Sequence, residues 1–322
     1  MGISEHGPRD HARQGRGRGR DAEKHMNQDK TQSSAGPSRP SVSVIIPIYS
    51  GDAYLSEMLD KLCLAGLRLN AGKRIELVIV DDRSPLEAET AALVRAAGEW
   101  ADVVYHRNQV NLGYIRSANK GMALASGSRF LLCNSDTRLA PGALARLEAA
   151  LDADPAAGMA GPMTNGGYNT KLQQLAEPPA QLESFSDDEL RRFDDFGRAL
   201  AARELRPVPA NWLISFCTLI RREIFESVGP LDEGFKYGYL EELDYGIRAR
   251  AAGWKLAAVP DAFVFHGGLR TKWKLSPNGS CQSGGASHLR TFYRVARSYI
   301  YVARKHGLQA LSTPQDIQGT PA

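Results

Sequence analysis

The sequence predicts an α/β protein built on a Rossmann-like, mostly parallel central sheet flanked by helices, and three observations carry that prediction. Short apolar runs rich in β-branched residues recur at Val42 to Tyr49, Ile75 to Asp82, Val103 to Tyr105 and Phe130 to Cys133. Stretches with helical periodicity separate them, which implies right-handed crossovers and parallel strands. Several runs stop abruptly in polar or acidic residues, most sharply FLLCNSDT at 130–137, where the apolar run ends at Asn134, Ser135 and Asp136. In open α/β sheets ligands bind beyond the carboxyl ends of the strands, so an acidic loop there is a candidate site. Asp136 has a second reading, as the cap of the helix near Pro141 or the head of an Asx turn.

The 322 residues, 43% hydrophobic and 24% charged, suffice to bury a full core in one large or two small domains. The formal charge of +4 is concentrated at the start: residues 1–40 hold eight Lys or Arg against five acids, a balance of +3, and the remainder is nearly neutral. That placement argues against a nucleic-acid partner for the folded part. Residues 1–40 also contain almost no large apolar side chains and are expected to be a disordered basic tail. Cys63, Cys133, Cys217 and Cys281 show no metal-type spacing, and three lie in apolar runs, as buried reduced thiols do. No apolar run is long enough for a membrane span and no signal core is present, so a cytoplasmic protein, at most peripheral to the inner face of the membrane, is expected.

In chain order, Val42 to Tyr49 is a strand ended by Pro47, and Asp52 caps a helix carrying Leu55, Met58, Leu59, Leu62 and Leu67. Ile75 to Asp82 is a buried strand ending in the acids Asp81 and Asp82. A helix runs from Pro85 to Gly98, Val103 to Tyr105 is a third strand, and Asn111 to Gly127 is a turn plus helix leading to the FLLC strand. Pro141 to Leu151 reads as helix and Gly158 to Met163 as strand. From Thr164 to about Pro209 the pattern weakens into an insertion containing an exposed helix at Ser186 to Arg203. Order returns at Asn211 to Ile220, and Gly229 stops the next helix. In Gly238 to Trp254, Leu240, Leu243 and Ile247 form one apolar face while Glu241, Glu242 and Asp244 crowd the first turn. The macrodipole explains acids there in part, and Asp244 with Arg248 is spaced as an ion pair. Two strands, Lys255 to Val259 and Ala262 to His266, precede a Gly/Ser-rich stretch expected to act as a lid. A basic amphipathic helix, residues 287–306, follows, suited either to packing on the domain or to an anionic bilayer, and 307–322 is expected to be a disordered tail.

Five motifs in register, VSVIIPIYS (42–50), LVIVDDRSP (77–85), NLGYIRSANKGMALASG (111–127), LLCNSDTRLAPGALARLE (131–148) and GPLDEGFKYGYLEELDYGIRARAAGW (229–254), resemble the family 2 glycosyltransferases of GT-A fold. The resemblance covers nearly all of 41–268 and divides it into a nucleotide-binding half, 41–137, and an acceptor-side catalytic half, 138–268, followed by a flexible loop at 269–286. It implies an inverting glycosyltransferase that moves a sugar, hexosyl or rhamnosyl, from a UDP- or dTDP-sugar to a cell-surface or lipid-linked glycan. NSD at 134–136 resembles the family's DxD motif, which implies Asp136 on a Mn²⁺ or Mg²⁺ ion and nucleotide contacts for Asn134 and Ser135; His266 matches a histidine that completes the metal shell. Pro47 and Tyr49 would line the base pocket, Asp82 would accept from the pyrimidine, and Gly113, Arg116 and Asn119 would lie along the phosphates or ribose. The family's catalytic acid pair aligns with Glu241 and Glu242, the latter as general base, with Asp244 and Trp212 on the acceptor side. The pair departs from the family in having Glu as its second acid. A nucleotidyltransferase of related fold lacks support, because no Gly-rich basic loop follows the first strand, and the absence of GxGxxG there argues against a dinucleotide oxidoreductase. A non-catalytic nucleotide-sugar binder is the other reading that residue types alone leave open.

Overall fold

The strand Val42–Ile48 (β1) is buried along its whole length, as expected for an apolar run at the centre of a parallel sheet. In the computed structural model, residues 40–71, 75–165, 172–175, 185–235, 239–267 and 285–312 are described, with side chains of the last helix described from Phe292 onward. After β1, Asp52 caps a helical stretch as the sequence predicts, its carboxylate accepting from Leu55 N–H at 3.0 Å. The stretch comprises α1 (Ala53–Met58), a π-helical segment (Leu59–Leu64) and α2 (Ala65–Asn70). Then come β2 (Glu76–Asp81), α3 (Glu87–Ala97), β3 (Asp102–Arg107), α4 (Tyr114–Leu124) and β4 (Arg129–Cys133). The second half contains β5 (Thr137–Leu139), α5 (Ala143–Asp152), β6 (Ala157–Met163), α6 (Asp187–Ala201), β7 (Val208–Ala210), β8 (Cys217–Arg221), α7 (Arg222–Val228), α8 (Glu241–Ala251), β9 (Lys255–His266) and α9 (Gly285–His306).

The sheet runs β3-β2-β1-β4-β8-β6-β9-β5, with β7 beside β9. β3, β2, β1 and β4 are mutually parallel; β8 enters antiparallel between β4 and β6. The chain works outward from β1 to β3 and then returns to the other side of β1, so the order reverses between β1 and β4. That reversal opens a crevice at the carboxyl ends of those strands, where Tyr49 and the Asn134 to Asp136 turn lie.

Alternation along β1 sorts the core into two layers. Val44, Ile46 and Ile48 pack with the α1–α2 helices and α5, whereas Ile45 packs with α4 and a layer that includes Leu243 of α8 and Val302 of α9. A third cluster joins Phe193 and Leu200 of α6 to Phe263 and Phe265 of β9.

Four sequence expectations are corrected. The helix expected to be exposed, α6, buries Phe193, Leu200 and Asp194, and Asp194 receives two hydrogen bonds from the buried Arg138 at 3.1 and 2.7 Å; its many charges hid a narrow apolar face. The two expected strands at 255–266 are one 12-residue strand, β9, because the ladder with β6 stops at Val259 and resumes at Phe263, absorbing Pro260 in an irregularity. The three-residue strands β5 and β7 went unread, being too short for any period to show. The expected tail at 307–322 begins with a 3₁₀ turn, Leu308–Ser312, that buries Ala310. Of the lid expected at Gly267 to Ala286, residues 268–284 lie outside the described residues.

Candidate active site

The site is assembled from the ends of β1, β2 and β4, the start of α8 and the far end of β9. At the end of β4 the chain turns sharply. Asn134 N–H donates to the carbonyl of Phe216 at 2.8 Å, and the Asn134 carbonyl accepts from Thr137 N–H and Oγ1 at 3.3 and 2.7 Å. That turn lifts Ser135 and Asp136 out of the sheet, partly exposed, and leaves Asn134 Oδ1 buried without a hydrogen-bond partner. Thr137 of β5 then pairs with His266 of β9. The pairing sets His266 Nε2 3.5 Å from Asp136 Oδ1, and Gly267 N–H donates to the Asp136 carbonyl at 2.8 Å. Asn165 holds the histidine backbone from both sides, accepting from His266 N–H at 2.7 Å and donating to its carbonyl at 3.3 Å. The ring stacks on Phe216 with centroids 5.1 Å apart. Cys63, Cys133 and Cys217 lie buried as free thiols, with Cys133 Sγ 3.0 Å from Thr137 Oγ1 below the turn.

The acids at the end of β2 are occupied otherwise. Asp81 is fully buried and accepts from Ser84 N–H at 2.7 Å, from Tyr105 hydroxyl at 2.8 Å and from Arg107. Asp82 accepts from Asn108 Nδ2 at 2.8 Å, Leu112 N–H at 2.7 Å and Gly113 N–H at 2.8 Å, so three of about four carboxylate acceptor sites are filled. Gly113, at φ +83°, has the left-handed backbone that aims its N–H at this carboxylate before α4 begins. Pro47 is buried within β1 opposite Val80, and Tyr49 beyond it is exposed.

Two residues predicted along the phosphates are engaged differently. Asn119 clamps the backbone of Leu231, donating to its carbonyl at 2.8 Å and accepting from its N–H at 2.9 Å, so both ends of its amide are committed. Arg116 pairs with Glu233 at 2.9 Å on the surface.

At the start of α8, Tyr239 and Leu240 are consecutive non-glycine residues in the left-handed region, at φ 65° and 67°. Each such residue costs on the order of 1–3 kcal/mol, and this strain accumulates at functional sites. The next two residues are the acid pair. Glu241 is buried, with Oε2 lacking a hydrogen-bond partner, and Glu242 is partly exposed. Burial, and next the charge of Glu242, push the Glu241 carboxyl well above its usual range; burial also raises Glu242. The Ser215 side chain hydrogen-bonds Glu241. The Ser215 carbonyl accepts from Tyr114 hydroxyl at 3.2 Å, and burial, with the Glu241 charge next, pushes that hydroxyl up. Asp244, two residues on, is sealed. It takes Arg248 at 2.8 Å, Lys305 at 2.7 Å and His306 at 2.6 Å, which tie α8 to α9. Burial pushes its carboxyl up, but the Lys305 and His306 hydrogen bonds and the Arg248 charge outweigh it and hold the group below its usual range. The acceptor-side position expected for Asp244 is therefore a helix-docking one. Trp212 is partly buried on the same flank; a Cβ on Gly246 of α8 would lie 2.9 Å from its Cβ.

Residues 215 and 216 join the two halves. Ser215 touches Glu241 and Tyr114, while Phe216 carries Asn134 on its carbonyl and His266 on its ring. Asp136 and the α8 acid pair, 105 or more positions apart in sequence, thus flank one dipeptide. Tyr114, Asn165, Ser215 and Phe216 were not singled out in the sequence. Tyr114 and Phe216 stand within motif stretches, but aromatic residues there read equally well as core.

The family model described as Glycosyl transferase family 2 matches residues 43–229. The N-acetylglucosaminyl-diphospho-decaprenol L-rhamnosyltransferase of Mycobacterium tuberculosis is 27% identical over 279 residues, 82% of this chain and 84% of that protein. Among solved structures, the mannosyltransferase of Pyrobaculum calidifontis in complex with GDP-Man and Mn²⁺ superposes with a TM-score of 0.55 at 17% identity, covering 85% of this chain and 69% of that one. S. aureus TarS 1–349 in complex with UDP-GlcNAc gives 0.53 at 15% identity, covering 84% and 70%; in another structure of the same fragment, this chain spans 60% of it. These structures share the fold that the strand order describes, and the family model spans the β1–β4 crevice and the 215–216 dipeptide: the chain belongs to glycosyl transferase family 2, and it is a glycosyltransferase.

Proposed function

We propose that the protein is an inverting glycosyltransferase that moves a sugar from a UDP- or dTDP-linked donor to a lipid-linked or cell-surface glycan, with rhamnose the leading donor sugar. The single observation that supports it best is that adjacent residues reach both groups: Ser215 hydrogen-bonds Glu241, and Phe216 stacks on His266, which stands beside Asp136. The similarity to a rhamnosyltransferase named for a decaprenol-linked acceptor supports the choice of donor and acceptor class.

Glu242 is the general base in this reading. It is the more exposed of the pair and its raised pKa makes it a stronger base, while buried Glu241 carries the proton the two share and donates it toward Glu242. The base removes the acceptor hydroxyl proton as the oxygen attacks the anomeric carbon from the face opposite the departing nucleotide. Asp136 and His266, a carboxylate and an imidazole in reach of one ion, fit a Mn²⁺ or Mg²⁺ site of two protein donors with the rest left to substrate oxygens. Among the described residues no group of three or more metal-binding side chains occurs. What a bound cation supplies there is positive charge against the diphosphate that leaves. Pro47, Tyr49, Asp82, Gly113, Asn134 and Ser135 border the nucleotide in this reading, and the unpartnered Asn134 Oδ1 is an acceptor for a nucleotide hydroxyl.

A panel of UDP- and dTDP-sugars with Mn²⁺ or Mg²⁺, read by nucleoside diphosphate release, tests the donor. Asp136→Ala should abolish cation-dependent nucleotide binding; full retained affinity would remove Asp136 from the metal.

A further inference from the structure

The helix α9 has two faces of opposite character. Its inner face is bolted to the domain. Val302 and Ser298 are buried, and Tyr301 packs edge-on against Phe235 with its hydroxyl 3.1 Å from Asp232. Lys305 reaches both Asp232 at 2.6 Å and Asp244 at 2.7 Å.

The outer face is apolar and open. Phe292 is 73% exposed, Tyr293 60%, Ile300 53% and Tyr299 41%, the largest run of exposed apolar side chains among the described residues. Phe292, Ala296 and Ile300 stand at i, i+4 and i+8, and Tyr293 and Ile300 at i and i+7, so they form one stripe along the helix. Arg297 and Arg304, both exposed and also seven apart, line one margin of that stripe, and neither has an ion-pair partner among the described residues. Leaving such a stripe in water is unfavourable unless something covers it.

The geometry points to an anionic lipid surface as the occupant: α9 lies in the headgroup plane with Phe292, Tyr293, Tyr299 and Ile300 against the acyl boundary and Arg297 and Arg304 against lipid phosphates. Charge decides among occupants. An apolar stripe with a cationic margin is the pattern of an interfacial helix, whereas a two-fold contact with a second copy sets the same arginines near their own images and needs roughly 800 Å² per partner. No helix among the described residues is long and apolar enough to cross a membrane, so α9 would lie on the bilayer. Through Asp244 this surface is fixed to α8, the helix that opens with the acid pair.

Flotation of the full chain with vesicles of phosphatidylcholine alone, or mixed with phosphatidylglycerol, tests this. It reads binding and not turnover, so its failure leaves the glycosyl-transfer reading standing. Wild type should float with the anionic vesicles at least tenfold more than with the neutral ones. Phe292→Ser with Ile300→Ser should lose flotation on both, and Arg297→Gln with Arg304→Gln should lose the anionic preference, with thermal midpoints unchanged in each. A Phe292→Ser/Ile300→Ser chain that floats like wild type overturns the inference by assigning lipid binding elsewhere. So does a wild type that ignores anionic vesicles and runs in light scattering as a dimer which that variant splits, since the face then belongs to a second copy.

Discussion

Two acid pairs stand at element ends in this chain, Asp81-Asp82 at the end of β2 and Glu241-Glu242 at the start of α8, and their surroundings differ. The first pair is well supplied: Asp81 takes Ser84, Tyr105 and Arg107, and Asp82 takes Asn108, Leu112 and Gly113. The second has no ion pair among the described residues, though Ser215 reaches Glu241 and backbone hydrogen bonds reach both acids. Glu241 keeps one buried oxygen with no donor, and burial lifts both carboxyls. Burial without a cationic partner, rather than the acids themselves, is what keeps the second pair basic.

Substitutions that should treat the pairs differently sharpen that contrast. Glu242→Gln should lower turnover about 10²- to 10⁴-fold, the usual worth of a general base, with nucleotide binding intact by calorimetry; unchanged turnover would move the base elsewhere. Asp81→Ala should act on stability instead, costing on the order of 1–3 kcal/mol by denaturant titration, because it takes the acceptor from the Ser84 N–H and the Tyr105 hydroxyl; Arg107 keeps Glu87 and the Ser84 carbonyl. Glu241→Gln should stabilise, by on the order of 1 kcal/mol, and the sign can be read from pH. A carboxyl whose folded pKa is raised binds more protons folded than unfolded, so wild-type stability falls as pH climbs above the ordinary value of 4.5 toward the folded one. Thermal melts at about pH 5 and about pH 8 should show the variant's advantage growing at the higher pH; a constant gap would mean Glu241 is not the titrating group. Smallest in stability is Arg116→Ala, at less than about 1 kcal/mol for an exposed pair with Glu233. If its guanidinium serves a phosphate, nucleotide affinity falls about tenfold while the melt stays put.

Much of this was legible in the chain. The apolar runs gave β1, β2 and β4, Asp52 gave its cap, Gly229 its helix stop, and five motifs in register gave the family. Asp136, just past β4, and His266, the last residue of β9, could be named from the family resemblance. What the chain could not show is which polar atoms are spent at home. Asn119 reads as a ligand-facing amide until Leu231 fills both its ends, and Asp244 reads as a surface ion pair until α9 closes over it. Partners 60 and more positions away leave no local pattern, which is also why the three-residue β5 was invisible.

That small strand sets a limit on how this protein can vary. Because side chains along a strand alternate in direction, gaining a single residue between the Pro260 irregularity and His266 would turn the imidazole to the far side of the sheet and present Phe265 to Asp136 instead, and losing one would present Gly267. Length changes in this stretch should therefore survive in functional descendants only where the irregularity at Pro260 absorbs them and leaves Thr137 paired with His266.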